Sequence, residues 1–303
     1  MLYRTFFLTF LLSFSLVACG VNPTETNSNS ESETATDAEV NSETEAKKVI
    51  ALTSLTADII YRLDATKLIG ISGTRLLKED DRFTDFPTVN QGNTPPDLEK
   101  IVSLEPDLVI GAEGFSDQTL SKLEELGIKT IATNIDSWEA LKEVTKTLAS
   151  AIGADPQLLL QEYETYLPNQ TNAETNLSTL VLVSRQPILA PNKNSWAGDL
   201  LSQFPVTNLA AKLQGSSPVG GYVTLSPEKI LESNPDTLII VDPSREGILE
   251  QLKQEPFWQN LKATQQDQVY VFDYYGLVNP GSLEKIKTTS QQLEATFFNN
   301  LSK

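Results

Sequence analysis

The most constraining feature of this sequence is a segment that is written twice along the chain. Residues 97–111 read DLEKIVSLEPDLVIG, and residues 226–240 read SPEKILESNPDTLII, with matching positions and no gap. Each copy has an acidic residue at the start of a predicted helix, followed by a Pro-Asp turn and an aliphatic run typical of a buried strand. The repetition predicts two similar α/β lobes in tandem.

Other predicted elements recur in the same order around the two copies. In the first half, we expect strands at 49–53, 67–72, 108–110 and 129–133, and helices at 57–63, 97–104 and 120–126. In the second half, we expect strands at 180–184 and 268–272, and helical segments at 198–201 and at 248–261, with an interruption at Pro256. Strands that alternate with helices indicate parallel sheets covered on both faces.

Composition excludes several classes of function. The formal net charge of −17 argues against a nucleic-acid partner, because phosphate binding needs clustered Lys and Arg. The chain has no His and one Cys, which excludes Ser-His-Asp and Cys-His catalytic groups and disfavours a zinc site. We therefore expect no enzyme, no directly bound metal and no cofactor.

The N-terminus has the pattern of an export signal. Arg4 precedes the apolar run of residues 6–17, which is too short to span a membrane comfortably. The letters LVAC at residues 16–19 resemble the lipobox of bacterial lipoproteins, in which Cys19 would carry the lipid. An ordinary cleaved signal with a chance Cys is the alternative. Both interpretations place the protein outside the cytoplasm.

The segment after Cys19 is rich in Ser, Thr, Asn and Glu and has almost nothing to bury, so residues 20–46 are predicted to be a disordered acidic tether. We expect the first lobe at 47–154 and the second at 176–303. Between them, at 155–175, Asp155 and Pro156 are typical of the start of a helix. That helix of about 12 residues would span about 18 Å and join the lobes.

Three stretches carry a resemblance to a known family: VIALTSLTADIIYRL with LIGIS, PDLEKIVSLEPDLVIG, and FWQNLKATQQDQVYVFD. They resemble the helix-linked solute-binding proteins of ABC importers, the group that binds ferric siderophores, vitamin B12 and haem. The likeness covers residues 47–298. It implies two similar α/β lobes with parallel-type central sheets, joined by a single long α-helix, with a ligand cleft between the lobes.

The resemblance also implies partners. Such a protein would be a monomer, held to the membrane by its lipid anchor on the periplasmic side or the cell surface. It would serve an ABC permease dimer with its ATPase. Glu99 and Glu228 occupy the same place in the two copies, where the family has the glutamates that dock on permease arginines. The alternative is that each only favours the dipole at its helix N-terminus.

Cationic candidates for the cleft follow predicted strands, because ligands of open α/β sheets bind beyond the carboxyl ends of the strands. Arg75, Arg185 and Arg245 lie in such positions. Arg presents a planar fork of donors suited to the oxygen atoms of ferric chelates. An exposed loop arginine without a ligand is the alternative for each.

Aromatic candidates for the cleft combine apolar area with, in most cases, one polar atom. They are Phe115, Trp138, Trp196, Tyr222, Tyr274 and Tyr275. Core packing is the alternative for each aromatic side chain.

The leading hypothesis is therefore a binding protein that captures a ferric siderophore or a ferric citrate-type complex as cargo. Vitamin B12 is the second candidate, favoured by an aromatic cleft. Haem is third, because the chain has no His to bind it. A metal-dependent hydrolase and a surface interaction protein that does not transport are the competing classes.

Overall fold

The computed structural model describes residues 45–92, 94–168, 177–215, 217, 219–242 and 247–298. The strands are β1 Val49–Ala51, β2 Leu68–Ile71, β3 Leu108–Ala112, β4 Lys129–Thr133, β5 Ser178–Val183, β6 Leu189–Pro191, β7 Thr207–Asn208, β8 Tyr222–Thr224, β9 Thr237–Val241 and β10 Val269–Phe272. The helices are α1 Ser54–Asp64, α2 Arg75–Lys78, α3 Leu98–Ser103, α4 Asp117–Glu125, α5 Trp138–Ile152, α6 Gln157–Glu164, α7 Trp196–Ser202, α8 Pro227–Ser233, α9 Ile248–Leu252, α10 Lys262–Gln265, α11 Tyr274–Leu277 and α12 Leu283–Phe298.

The first lobe is built on a parallel sheet with the strand order β2-β1-β3-β4. Along a strand of this sheet, successive side chains point to opposite faces and enter two different cores, as expected for strands covered on both faces. Val49 and Ala51 face one core, whereas Ile50 and Leu52 face the other. The α/β architecture predicted from the sequence is confirmed in this lobe.

The second lobe has a mixed sheet with the order β10-β9-β5-β6-β8, and β7 pairs with the start of β5. Strands β10, β9 and β5 are parallel, as predicted. Strand β6 is antiparallel to both β5 and β8, which the sequence pattern did not indicate. The connection from β5 to β6 is short, and a short connection can join antiparallel strands but not parallel ones.

The duplicated segment forms the same helix, turn and strand in both lobes. Helices α3 and α8 are each followed by a residue with left-handed backbone, Glu105 with φ of 50° and Asn234 with φ of 38°. Pro106 and Pro235 then prevent the helix from continuing. The repeated sequence therefore gives both lobes the same helix C-terminus and the same turn into the following strand.

The aspartate of each Pro-Asp turn fixes the start of the neighbouring strand. Asp107 Oδ2 accepts hydrogen bonds from the backbone N–H groups of Lys47 at 2.8 Å and Lys48 at 3.0 Å, just before β1. Asp236 Oδ2 accepts from the N–H of Ser178 at 2.8 Å, at the start of β5. Each repeat thus connects its own strand to the first strand of its lobe.

The lobes are connected through α5 and α6. Gly153 ends α5 with a left-handed backbone, φ of 69°. Asp155 Oδ1 accepts a hydrogen bond from Gln157 N at 2.9 Å at the start of α6. Helix α6 covers eight residues, so it is shorter than the helix of about twelve that the sequence indicated.

A second helix also differs from expectation. The predicted helix at 248–261 is present only as α9, and a short 3₁₀ turn at Trp258–Asn260 follows it. Pro256 is the physical reason, because proline has no N–H to continue the helical hydrogen bonds.

One hydrophobic core is shared by both lobes. We call it the interlobe core; it includes Ala51 of β1, Val183 of β5, Leu148 of α5, Leu200 of α7 and Phe297 of α12. Each lobe has a separate outer core on the opposite face of its sheet. Both lobes belong to a single compact unit, and apolar packing joins them in addition to the chain connection.

Two contacts, one buried and one partly buried, tie α12 and α5 to the first helices of the two lobes. Asp58 of α1 is 1% exposed; it pairs with Arg82 Nη1 at 2.9 Å and accepts from the backbone N–H of Leu283, at the start of α12, at 2.8 Å. Asp199 of α7 accepts from the N–H of Trp138, at the start of α5, at 2.7 Å. A carboxylate at a helix N-terminus satisfies free N–H groups and the helix dipole. Asp58 therefore holds the last described helix of the second lobe, and Asp199 holds the last helix of the first lobe.

The residues that the structure describes include no helix that is both long and apolar enough to cross a membrane.

Candidate functional site

The candidate site is a hollow of about 240 Å³ between the two lobes, which we call the interlobe cleft. On the first-lobe side, the residues that follow β1, β3 and β4 line it. On the second-lobe side, the segment after α11 lines it. The lining residues are Thr53, Ser54, Leu55, Ala112, Glu113, Phe115, Thr133, Asn134, Ile135, Asn279, Pro280 and Gly281. The carboxyl ends of parallel strands thus meet at this hollow, where open α/β sheets bind ligands.

Several hydroxyl groups of the cleft are already engaged in its own structure. Thr53 Oγ1 accepts from Thr56 N at 3.1 Å and caps α1, and Ser54 Oγ shares a hydrogen bond with Thr74 Oγ1 at 2.7 Å. Thr133 Oγ1 donates to Gly111 O at 3.0 Å. These contacts hold the strand ends in place and give the hollow a preformed first-lobe wall.

Phe115 projects from the turn between β3 and α4 and is 95% exposed. The turn is fixed by Gly114, which has φ of 77°, and by hydrogen bonds from Gly114 N to Asp117 Oδ1 and from Ala112 N to Ser116 Oγ. A fully exposed aromatic ring on a fixed turn is available to cover a ligand. The structure therefore places the predicted Phe115 at the rim of the cleft.

The second-lobe wall depends on Tyr274 and Tyr275. Their rings contact edge to face at 5.3 Å, and Asp273 Oδ1 caps Tyr275 N at 2.9 Å. Asn279 N donates to Tyr274 O at 3.0 Å, which fixes the lining segment that follows. Burial raises the pKa of Tyr274. The two predicted tyrosines thus lie behind the wall of the cleft, and the adjoining Asn279 lines it.

Two further predicted aromatics lie in the interlobe core. Trp138 and Trp196 are 5% and 3% exposed, and their rings stack at 6.1 Å with an interplanar angle of 27°. Each follows a serine that caps its helix: Ser137 Oγ accepts from Ala140 N, and Ser195 Oγ accepts from Gly198 N. The structure thus assigns these tryptophans to lobe packing, the alternative to a cleft position.

Tyr222 is also buried, at 8% exposed, where β8 pairs with β6. Its hydroxyl has no hydrogen-bond partner among the residues that the structure describes. Burial raises the pKa of Tyr222. Tyr222 is not among the residues that line the interlobe cleft.

Neither Arg75 nor Arg185 lines the cleft. Arg75 begins α2 and pairs with Glu79 at 3.5 Å. Arg185 pairs with Glu255 at 2.9 Å and lines a separate hollow of the second lobe. Arg245 lies outside the described residues, as does Cys19.

Glu99 and Glu228 occupy equivalent and exposed positions. Both are the second residue of a short helix, with Asp97 and Ser226 as the caps. A hydrogen bond with the Ser226 side chain lowers the pKa of Glu228, so it is anionic near neutral pH. The structure therefore displays one carboxylate on each lobe at the same point of the repeat.

The sequence did not single out Glu113, Asn134 or Asn279, although all three line the cleft. Asn134 directly follows the predicted strand 129–133, and Glu113 comes three residues after the predicted strand 108–110, which is the signal that could have identified them. Asn279 follows the short helix α11, which the sequence pattern did not predict. Among the described residues, no group of three His, Cys, Asp or Glu side chains is placed to hold a metal ion.

Comparison with known proteins identifies a matching family and similar proteins. A sequence profile described as periplasmic binding protein matches residues 49–275. The chain is 25% identical over 291 residues to the iron-uptake system-binding protein of Bacillus subtilis, covering 87% of this chain and 88% of that protein. It is 25% identical over 289 residues to the Fe(3+)-citrate-binding protein YfmC of the same organism, covering 87% of each.

A solved structure has the same fold. The periplasmic vitamin B12 binding protein BtuF of Vibrio cholerae superposes with a TM-score of 0.65 at 20% sequence identity. The match covers 85% of this chain and 99% of that chain. The two-lobe architecture is thereby confirmed.

Proposed function

The chain belongs to the periplasmic binding protein family, and on this premise we propose that it is the substrate-binding protein of an ABC importer that captures a ferric chelate. The ligand is cargo and is released unchanged. The curated relatives support this assignment, since one is an iron-uptake system-binding protein.

The observation that carries the proposal is the interlobe cleft. Strand ends of the first lobe and the segment that begins at Asn279 contribute neutral polar groups, and Phe115 contributes an exposed apolar ring at the rim. The hollow of about 240 Å³ is small for a ligand site, for which about 300 Å³ or more is usual. A large chelate would thus be held by one edge and remain partly exposed, which suits reversible capture.

Delivery would use the two repeated glutamates. Glu99 and Glu228 present one carboxylate per lobe, a pattern that fits a permease with two-fold symmetry through charge-assisted hydrogen bonds from arginines. Attachment of lipid at Cys19 would hold the protein near that permease, because each buried methylene contributes about 0.8 kcal/mol. Residues 20–46 would then serve as an acidic tether.

Ligand capture is tested by intrinsic fluorescence of the purified protein. We expect iron(III) trihydroxamate, tris-catecholate or citrate complexes to include at least one that quenches tryptophan emission at submicromolar to micromolar concentration. Cyanocobalamin and haemin belong to the same panel, because the vitamin and haem are the alternative cargoes. Unchanged emission with every compound would contradict the proposed function.

Permease docking is tested by iron uptake in cells. The double variant Glu99→Gln, Glu228→Gln is expected to reduce uptake about tenfold or more while ligand affinity stays unchanged, since each substitution removes a charged contact worth about 1.5–3 kcal/mol. Glu125→Gln with Glu294→Gln is the matched control, with one exposed carboxylate removed from each lobe. Equal uptake by both double variants would rule out docking through these glutamates.

A further inference from the structure

The interlobe cleft contains little charge. Its lining consists of apolar residues and of neutral polar residues such as Thr53, Asn134 and Asn279. Glu113 is the only lining residue that carries a charge, among the residues that the structure describes. The electrostatic interaction of this lining with a charged ligand is therefore dominated by one carboxylate.

Glu113 is well placed for this role. It directly follows β3, and its backbone N–H donates to Thr133 O at 3.0 Å, which continues the pairing of β3 with β4 by one residue. Its side chain is exposed, and no Lys or Arg of the described chain pairs with its carboxylate. The backbone of Glu113 is thus fixed at the base of the Phe115 turn, and no cation of the described chain neutralises its carboxylate.

Three cations of the described residues pair with carboxylates outside the cleft lining. Arg75 pairs with Glu79, Arg185 with Glu255, and Lys285 with Asp273, the last at 2.7 Å. None of these three cations lines the cleft. An anionic ligand would therefore meet Glu113 without an offsetting positive charge from this part of the described chain.

We propose that Glu113 makes the cleft selective for uncharged and cationic ligands, so that the cargo is not an anionic chelate. This inference rests on the proposed function and narrows its ligand class. A carboxylate in a cleft with low-dielectric walls attracts cations and repels anions, and the net charge of −17 adds to the same field. Neutral or cationic iron(III) trihydroxamates fit this site, whereas iron(III) citrate and tris-catecholate complexes do not.

The test uses three iron(III) chelates of different net charge and fluorescence titration of the purified protein. The probes are a linear trihydroxamate with one free ammonium group, a neutral cyclic trihydroxamate and an anionic tris-catecholate. The wild type is expected to bind the cationic and neutral chelates more tightly than the anionic one. Glu113→Gln should weaken binding of the cation and strengthen binding of the anion, changing their affinity ratio about tenfold, which corresponds to about 1.4 kcal/mol.

Two further variants and the dependence on salt concentration test the role of the Glu113 charge. Glu125→Gln removes an exposed charge of α4 outside the cleft and should leave the affinity ratio unchanged. Glu113→Lys should reverse the order of the cationic and anionic chelates. The effect of Glu113→Gln should also shrink as salt concentration rises, because salt screens exposed charges.

The outcomes separate this inference from the proposed function. Tighter binding of the anionic chelate by the wild type, or an affinity ratio that Glu113→Gln leaves unchanged, would overturn the role of Glu113 and leave ligand capture intact. Binding of none of the three chelates, nor of iron(III) citrate, cyanocobalamin or haemin, would overturn both.

Discussion

At the scale of single residues, the second-lobe wall of the cleft depends on the missing side chain of Gly276. A Cβ atom at this position would lie 2.5 Å from Lys285 O and would overlap the side chain of Thr289, both in α12. The carbonyl of Gly276 also accepts a hydrogen bond from Trp196 Nε1 at 2.9 Å. This one glycine therefore sets how closely α11 approaches α12 and where the lining segment begins.

Gly276→Ala is expected to lower the free energy of unfolding by about 2 kcal/mol, because an extra methyl group in a packed site forces the neighbouring backbone to move. Urea unfolding followed by tryptophan fluorescence measures the change. Gly220→Ala is the control, since a Cβ atom there meets nothing within 4 Å. Equal free energies of unfolding for the two variants would show that α11 and α12 accommodate the extra methyl group without loss of stability.

Residue type and position were enough to predict Phe115 as a cleft residue, but not to separate it from Trp138 and Trp196. All three lie near strand ends or helix starts. The two tryptophans become core residues because α5 and α7 pack against each other across the lobes, so that the rings stack. Such a contact between distant segments has no local signal. The same reason explains why Arg185 could not be recognised as the partner of Glu255.

At the scale of elements, the duplicated segment and the strand 129–133 were predictable, whereas the very short strands of the second lobe were not. Strand β4 has the predicted bounds, and the helices α3 and α8 fall within one residue of the repeated pattern. Strands β6 and β8 have only three residues each, too few for an alternating pattern to stand out. Their pairing with each other depends on the fold of the second lobe rather than on local sequence.

The Pro-Asp turn of the second lobe predicts a dependence of stability on pH. Burial alone would raise the pKa of Asp236, but hydrogen bonds from Lys262 and Ser178 hold it at about 2, below the ordinary value of 3.8. The ionised form is therefore favoured in the folded state. Its contribution to stability is present above the ordinary pKa and is lost as the pH falls through about 2.

Asp236→Asn removes this contribution. We expect the wild type to exceed the variant in free energy of unfolding by about 1–2 kcal/mol near neutral pH, with the difference shrinking as the pH falls from about 5 to about 2. Urea titrations at several pH values measure it. Asp85→Asn, an exposed residue of the first lobe, serves as the control. A difference that stays constant with pH would show that Asp236 acts through its shape and not through its charge.

At the scale of the whole molecule, the lobes are joined more firmly than the sequence alone indicated. The repeated pattern predicted two lobes, and Asp155 with Pro156 indicated a connecting helix, but neither feature could reveal the interlobe core. That core draws side chains from β1 and β5 and from the helices α5, α7 and α12. The contacts of Asp58 with Leu283 and of Asp199 with Trp138 add hydrogen bonds between the lobes. Opening the lobes widely would expose this apolar surface and break both contacts.

We therefore expect ligand binding to change the distance between the lobes by less than about 2 Å, the range of preorganised binding sites. Spin labels on Lys122→Cys in α4 and Gln254→Cys after α9, with Cys19→Ser, report that distance by electron paramagnetic resonance. A gallium(III) trihydroxamate serves as ligand, since it adds no paramagnetic centre. Labels on Lys78→Cys and Lys122→Cys, both in the first lobe, control for label motion. If the distance between the labels at positions 122 and 254 changed by several ångströms while the control distance did not, the contacts of the interlobe core would have to rearrange on binding. Capture would then work by closure of the lobes and not by a preformed cleft.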